Sequence, residues 1–339
     1  MNHKRREPAP DIFRLTLPLP FAELNRVNAY LLVADDEITL VDCGIYDPST
    51  DNDHGWPDVV AALGICSVQP DTVTRLIVTH PHADHYGMAA HVVDTSGCDL
   101  WMHRAAGRDI DVYRNPERRT KRMRALLGAA GIAEDELDEL TSFEDWRRYI
   151  ARLIDATTVL EGGEPFTAAG RRWTVVHTPG HARAHICLWA EEDRILISGD
   201  HVLPSVTPHI DFGPDSEDPL GDYLASLEIV ERLAPALVLP GHGRPFEDGA
   251  ERARATLRHH ERRLGAIVQV IRHEAKSADA IAREIFGATL LNFHRRLALG
   301  EALAHLAYLE RRGEIERARS DDGIDLYRKA RRARRASDR

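Results

Sequence analysis

The sequence predicts an α/β fold, with sheets flanked by helices and a smaller, mainly helical piece at the end. Three observations carry this. Short, nearly continuous aliphatic runs recur through the first 250 residues, helical stretches lie between them, and after Gly249 apolar residues follow helical spacing. The 339 residues are 43% hydrophobic and 29% charged, a composition that excludes disordered, fibrous and membrane-spanning classes. No run approaches the roughly 18 apolar residues of a membrane helix.

The strand candidates are Val27–Ala34, Ile38–Cys43, Arg75–Thr79, Asp99–His103, Trp173–His177, His185–Ala190, Arg194–Ser198 and Ala236–Leu239. Several are aliphatic almost throughout, as strands covered on both faces must be. Tyr86–Thr95 and Asp222–Leu233 read as helices. From about residue 104 to 156 the texture becomes charged, with Ala and Leu at helical spacing, and predicts a helical insertion.

After Gly249, Ala253, Leu257, Leu264, Ile267, Val268 and Ile271 make one helical stripe. A helix capped by Ser277 follows, then one carrying Leu299, Leu303, Leu306 and Leu309, then two strand-like runs around Asp322-Gly323. That order predicts a winged-helix-like module. The expected division is a catalytic domain over 1–249, a winged-helix-like domain over 250–327, and a disordered basic tail over 328–339.

Charge is uneven. Residues 1–249 carry a net −18 and residues 250–339 a net +8, most of it in the last twelve residues, which hold seven cations and one Asp. An acidic body would repel phosphates, which argues against nucleic acid as a partner. Prolines at positions 8, 10, 18 and 20 interrupt what a secretory signal would need as a continuous apolar stretch. Cys43, Cys66, Cys98 and Cys187 lie far apart with no C-x-x-C pair, which suits a reducing compartment. A cytoplasmic protein is expected.

Histidine is the unusual component, with 18 copies against 16 Phe and Tyr together. The run Thr79-His80-Pro81-His82-Ala83-Asp84-His85 follows an apolar strand and places four metal-ligand types within six residues. His80 and His82 can project one way while Asp84 and His85, at a helix entry, aim elsewhere, so one segment can serve two ions. Three further candidates each follow an aliphatic run and a Gly: His181, Asp200 and His242. Imidazole and carboxylate donors select zinc, iron or manganese over calcium or magnesium.

This ordered set, H-x-H-x-D-H followed by T-P-G-H, G-D and G-H, resembles the metallo-β-lactamase superfamily over roughly residues 14–250. The resemblance implies an αββα sandwich with the site along one sheet edge and two divalent ions, zinc above all. It implies that His80, His82 and His181 bind one ion, that Asp84, His85 and His242 bind the other, and that Asp200 bridges them. Asp42, in LVDCG, resembles the family's carboxylate that orients a ligand histidine. His177, His185, His201 and His209 fall outside the pattern and read as supporting residues; His259 and His260 read as solvated.

Departures within the superfamily narrow the expected reaction. Asp200 differs from true zinc β-lactamases and His82 from the flavodiiron members. The GDHVLPSVTPHI segment differs from typical hydroxyacylglutathione hydrolases and, with the winged-helix-like C-terminus, looks more like the broad glyoxalase-II-like and lactamase-like-beta hydrolases. The expected activity is hydrolysis of a small ester or thioester carbonyl by a metal-bridging hydroxide, with Asp84 catalytic and His209 and Tyr223 as candidate donors on the substrate side. Metal-dependent phosphodiester or RNA cleavage is the alternative, followed by a mononuclear iron persulfide dioxygenase.

Overall fold

The structure, a computed structural model, describes residues 6–34, 37–50, 53–142, 146–213, 217–290 and 292–330. Two six-stranded sheets form the larger unit. The first has β1 (Ile12–Pro18), β2 (Arg26–Ala34), β3 (Glu37–Val41), β4 (Arg75–Ile77), β5 (Asp99–His103) and β6 (Thr158–Leu160), in that spatial order. β1 to β3 pair antiparallel; β3 to β6 pair parallel. Parallel neighbours require crossovers, and the chain supplies helices for them: α1 (Trp56–Ile65), α2 (Ala83–Tyr86) and α3 (Ala89–Ser96), and α4 (Ala106–Arg114).

The second sheet contains β7 (Pro165–Ala168), β8 (Arg171–His177), β9 (Ile186–Ala190), β10 (Ile195–Gly199), β11 (Leu237–Pro240) and β12 (Phe246–Glu247), again ordered as in the chain, with only β10 and β11 parallel. Because side chains alternate along a strand, each sheet has two faces to cover. Tyr30, Leu32, Val41 and Ile77 of the first sheet share a buried cluster with Trp173, Val175, Leu188 and Ile197 of the second. The opposite face of the first sheet, with Leu31, Leu40, Leu76 and Leu100, packs with Val59, Leu63, Val92 and Ile110 of its helices. This is the sandwich that the resemblance implies.

The helix expected over Tyr86–Thr95 is two helices, α2 and α3. A Cβ at Gly87 would lie 2.7 Å from both Tyr149 O and Tyr46 N, so the close approach of distant backbone fixes glycine at the break. Strands β1, β6 and β7 and helix α1 carry no expectation above.

Among the described residues, the smaller unit gathers 117–142, 209–213, 217–221, 257–290 and 292–330. It includes most of α5 (Pro116–Ala129), α6 (Glu134–Ser142), the start of α7 (Pro219–Leu233), the later part of α8 (Gly249–Val270), α9 (Ala278–Phe286) and α10 (Asn292–Arg311). A three-stranded antiparallel sheet completes it, β13 (Lys276–Ser277), β14 (Ile315–Arg319) and β15 (Asp325–Lys329), in the order β13-β15-β14. Ser277 caps α9, its hydroxyl accepting from the Ala280 N–H at 3.3 Å. The core joins Met123, Leu127, Leu137, Ile267, Ile281, Leu299, Leu306 and Tyr327. Arg296 is buried there and forms a two-pronged pair with Asp211, Nη1–Oδ1 3.0 Å and Nη2–Oδ2 3.2 Å.

Two expectations change in this unit. His260 is fully buried rather than solvated, its Nδ1 3.1 Å from Nε2 of His305 on α10; His259 is half-buried. His260 shares the inward side of α8 with Ala253, Thr256, Ile267 and Ile271. Arg328 and Lys329, expected in a disordered tail, end β15, where Arg328 pairs with Glu316. The rest of that tail, from 331 on, lies outside the described residues.

Candidate metal centre

The site residues follow strand ends. β3 leads to Asp42, β4 to His80, β8 to His181, β10 to Asp200 and β11 to His242. The two sheets are stitched at this edge: Ile186 N donates to Thr79 O at 2.9 Å, Asn28 N to Gly241 O at 2.7 Å, and the Tyr30 hydroxyl to Pro240 O at 2.8 Å. Loops from both sheets therefore converge. The approach is close enough that Gly199, at φ +47°, has no room for a side chain, since a Cβ would lie 2.7 Å from His185 Nε2 and 2.9 Å from Thr79 Oγ1.

All seven ligand candidates come together. His80, His82 and His181 offer ligand atoms within 4.8 Å of one another; so do His80, His85 and Asp200, and Asp84, His85 and His242. Asp200 spans the groups, with Oδ1 3.4 Å from His85 Nε2 and Oδ2 3.3 Å from His242 Nε2 and 3.8 Å from His181 Nε2. Asp84 Oδ2 is 3.2 Å from His242 Nε2 and 3.7 Å from His85 Nε2.

The far sides of the His80, His85 and His242 rings are each held by a hydrogen bond that selects the tautomer. His85 Nδ1 donates to Asp42 Oδ2 at 2.8 Å. The same carboxylate accepts from the Thr79 N–H at 2.8 Å and the Thr79 hydroxyl at 2.9 Å, and Thr79 Oγ1 lies 3.0 Å from His80 Nδ1. Since that hydroxyl proton goes to Asp42, its oxygen accepts from His80. His242 Nδ1 donates to Arg26 O at 2.9 Å. The Nε2 atoms of His80, His85 and His242 are thus the ones left for the cluster, that of His80 lying 3.0 Å from His82 Nδ1. His185 works one layer out: the Asp200 N–H donates to its Nε2 at 3.1 Å, so Nδ1 carries the proton to Thr178 Oγ1 at 2.8 Å.

Electrostatics separates the rings. Burial, with the surrounding imidazoles, holds His80 well below its ordinary value and brings His82 down to about 3. Burial pulls His85 and His242 the same way, but the Asp200 and Asp84 carboxylates outweigh it, raising His85 well above the ordinary value and His242 to about 10. Burial works to raise Asp84, and His85 and His242 bring it down to about 2. The donor set fits divalent ions on this structure's own terms. Buried His85 Nε2, His242 Nε2 and Asp200 Oδ1 make no well-aligned hydrogen bond although they lie 3.2–3.4 Å from carboxylate or imidazole atoms of the cluster, and a crowd of buried donor atoms that do not satisfy one another is costly unless a cation does.

Residues 22–242 match the family model of the metallo-beta-lactamase superfamily. The chain belongs to that superfamily. Residues 264–330 match a second model, the metallo-beta-lactamase-like C-terminal domain. The chain is similar to "Probable metallo-hydrolase YqjP" of Bacillus subtilis, 25% identical over 88% of this chain and 92% of that protein. It is 32% identical to "Acyl-coenzyme A thioesterase MBLAC2" of Bos taurus over 67% of this chain and 76% of that one. Among solved structures, a metallo-beta-lactamase family protein from Thermus thermophilus aligns with TM-score 0.81 and 28% identity, covering 95% of this chain and 99% of that one. Membership together with relatives named metallo-hydrolase and acyl-coenzyme A thioesterase, and the His and Asp cluster, makes the chain a metal-dependent hydrolase.

Other sequence candidates stand apart from the superfamily's ligand set. Tyr223 is buried and its hydroxyl donates to His201 O at 2.9 Å, bracing the segment after Asp200. His209 belongs to the smaller unit, where Nε2 lies 3.6 Å from Asp211 Oδ1. Thr79 carried no expectation, although its position directly before the H-x-H run was the available signal. No described helix is long and apolar enough to cross a membrane.

Proposed function

We propose that this chain hydrolyses a small thioester, of the acyl-coenzyme A type, at a dinuclear centre. The observation that carries this reading is Asp200, whose two oxygens face His85 on one side and His181 and His242 on the other. His80, His82 and His181 would hold one ion, Asp84, His85 and His242 the second, with Asp200 between. Bound divalent ions, zinc by this donor set, supply Lewis acidity and make a water nucleophile available near neutral pH.

The chain's own residues do the rest. Asp42 and Thr79 fix the imidazoles of His85 and His80 so that no reorientation is needed as charge develops. Asp84, held ionised by its histidine neighbours, is placed to orient the attacking water and accept its proton. The thioester preference rests on the MBLAC2 relatives, which are named acyl-coenzyme A thioesterases.

The test is elemental analysis of protein purified without chelator, followed by a panel of acyl-coenzyme A thioesters, lactones, phosphodiesters and single-stranded RNA. Two ions per chain and thioester turnover lost on chelation are expected. Metal-dependent RNA cleavage without thioester turnover, or one iron per chain with oxygen uptake on a persulfide, would overturn the reading.

A further inference from the structure

In the smaller unit, His259, His260 and Glu301 offer ligand atoms within 4.8 Å of one another. The histidines lie on α8 and the glutamate on α10, one turn before His305. Hydrogen bonds define the tautomers of the neutral rings. His305 Nδ1 lies 2.7 Å from the carbonyl oxygen of Glu301. A carbonyl only accepts, so the proton is on Nδ1 and His305 Nε2 carries a lone pair. That Nε2 is 3.1 Å from His260 Nδ1, which therefore donates and leaves His260 Nε2 unprotonated. A backbone carbonyl holding one imidazole, which holds the next, is the support that orients a metal-ligating histidine.

A cation already sits here. Arg263 Nη1 is 3.0 Å from Glu301 Oε1, its Nη2 is 3.5 Å from His259 Nε2, and its Cζ lies 4.3 Å from the centre of the Phe286 ring. The arrangement is thus built around positive charge, and the guanidinium is its resident occupant.

We propose that His259, His260 and Glu301 bind a divalent transition-metal ion of the zinc class, distinct from the ions of the His80–His242 centre, and that Arg263 takes that ion's place in the metal-free chain. Two imidazoles and a carboxylate are a zinc donor set and a poor one for calcium or magnesium, which prefer oxygen. Water completes the coordination. An ion held from both helices clamps α8 to α10, as structural ions do in small domains.

The test uses chelator-treated full-length protein titrated with Zn²⁺ against a chromophoric chelator. His259→Ala and Glu301→Gln are each expected to bind one equivalent fewer than the parent, with unchanged far-ultraviolet circular dichroism in chelator. Arg263→Ala keeps every ligand and removes the competing guanidinium. It is expected to retain the equivalent and bind it about threefold tighter or more, the scale of a part-exposed ion pair. Unchanged stoichiometry in the two ligand variants overturns the proposal, as does loss of the equivalent in Arg263→Ala. Should one ligand variant fail to fold, the other decides.

Discussion

Oδ2 of Asp42 accepts the Nδ1 proton of His85 at 2.8 Å, and the same carboxylate reaches His80 through the Thr79 hydroxyl. One buried side chain thus orients an imidazole in each of the two proposed ligand sets. Asp42 has φ 61°, a left-handed conformation that Asp and Asn tolerate better than most residues.

Asp42→Asn should therefore keep the backbone and lose the charged acceptor. Metal affinity is expected to fall about 10- to 100-fold, the usual scale for such outer partners. Chelator competition measures it; unchanged affinity would remove Asp42 from the support of the site.

Asp200→Ala removes the carboxylate that faces His85, His181 and His242. Occupancy should drop for both ions, read by elemental analysis after dialysis against limiting zinc. Loss of one ion alone would mean that Asp200 does not bridge.

Asp84→Ala should abolish hydrolysis with little change in thermal midpoint. The side chain is half-buried on the short helix α2 and its charge faces His242 rather than the sheet core. Parent-level turnover at unchanged metal content would exclude Asp84 from the mechanism.

The ligand cluster was legible in the sequence because each member directly follows a strand or opens a helix, so local pattern fixed its place. What was not legible depended on distant packing. Gly87 splits an expected helix because backbone from residues 46 and 149 crosses it. His260 reads as a solvated position until His305, 45 residues later, is laid against it. Strand β1 is bounded by proline and buries both faces, Ile12 in the cluster between the sheets and Leu15 with Leu17 in the cluster under the helices, a split that becomes clear only once β2 pairs with it. Thr79 looked like the end of a strand, and its role depends on Asp42 arriving from the neighbouring one.

Acid should destabilise the smaller unit through His260 and His305. Burial, with neighbouring positive charge, brings His260 down to about 2; burial brings His305 down to about 4 against the pull of the Glu301 carbonyl. An unfolded histidine titrates near 6.5. Both folded values lie below it, so below about pH 6.5 the unfolded chain binds protons that the folded chain excludes. Stability is fully present above pH 6.5 and is lost as the pH falls toward 4, with a limiting slope of about 1.4 kcal/mol per pH unit for each ring. Thermal melts in chelator across pH 7 to 4 measure it. Replacing both rings, His260→Leu with His305→Leu, should flatten that acid limb relative to the parent, whatever it does to the midpoint at pH 7. An equally steep limb in the double variant would assign the acid sensitivity to other buried histidines, such as His201, which burial brings down to about 3.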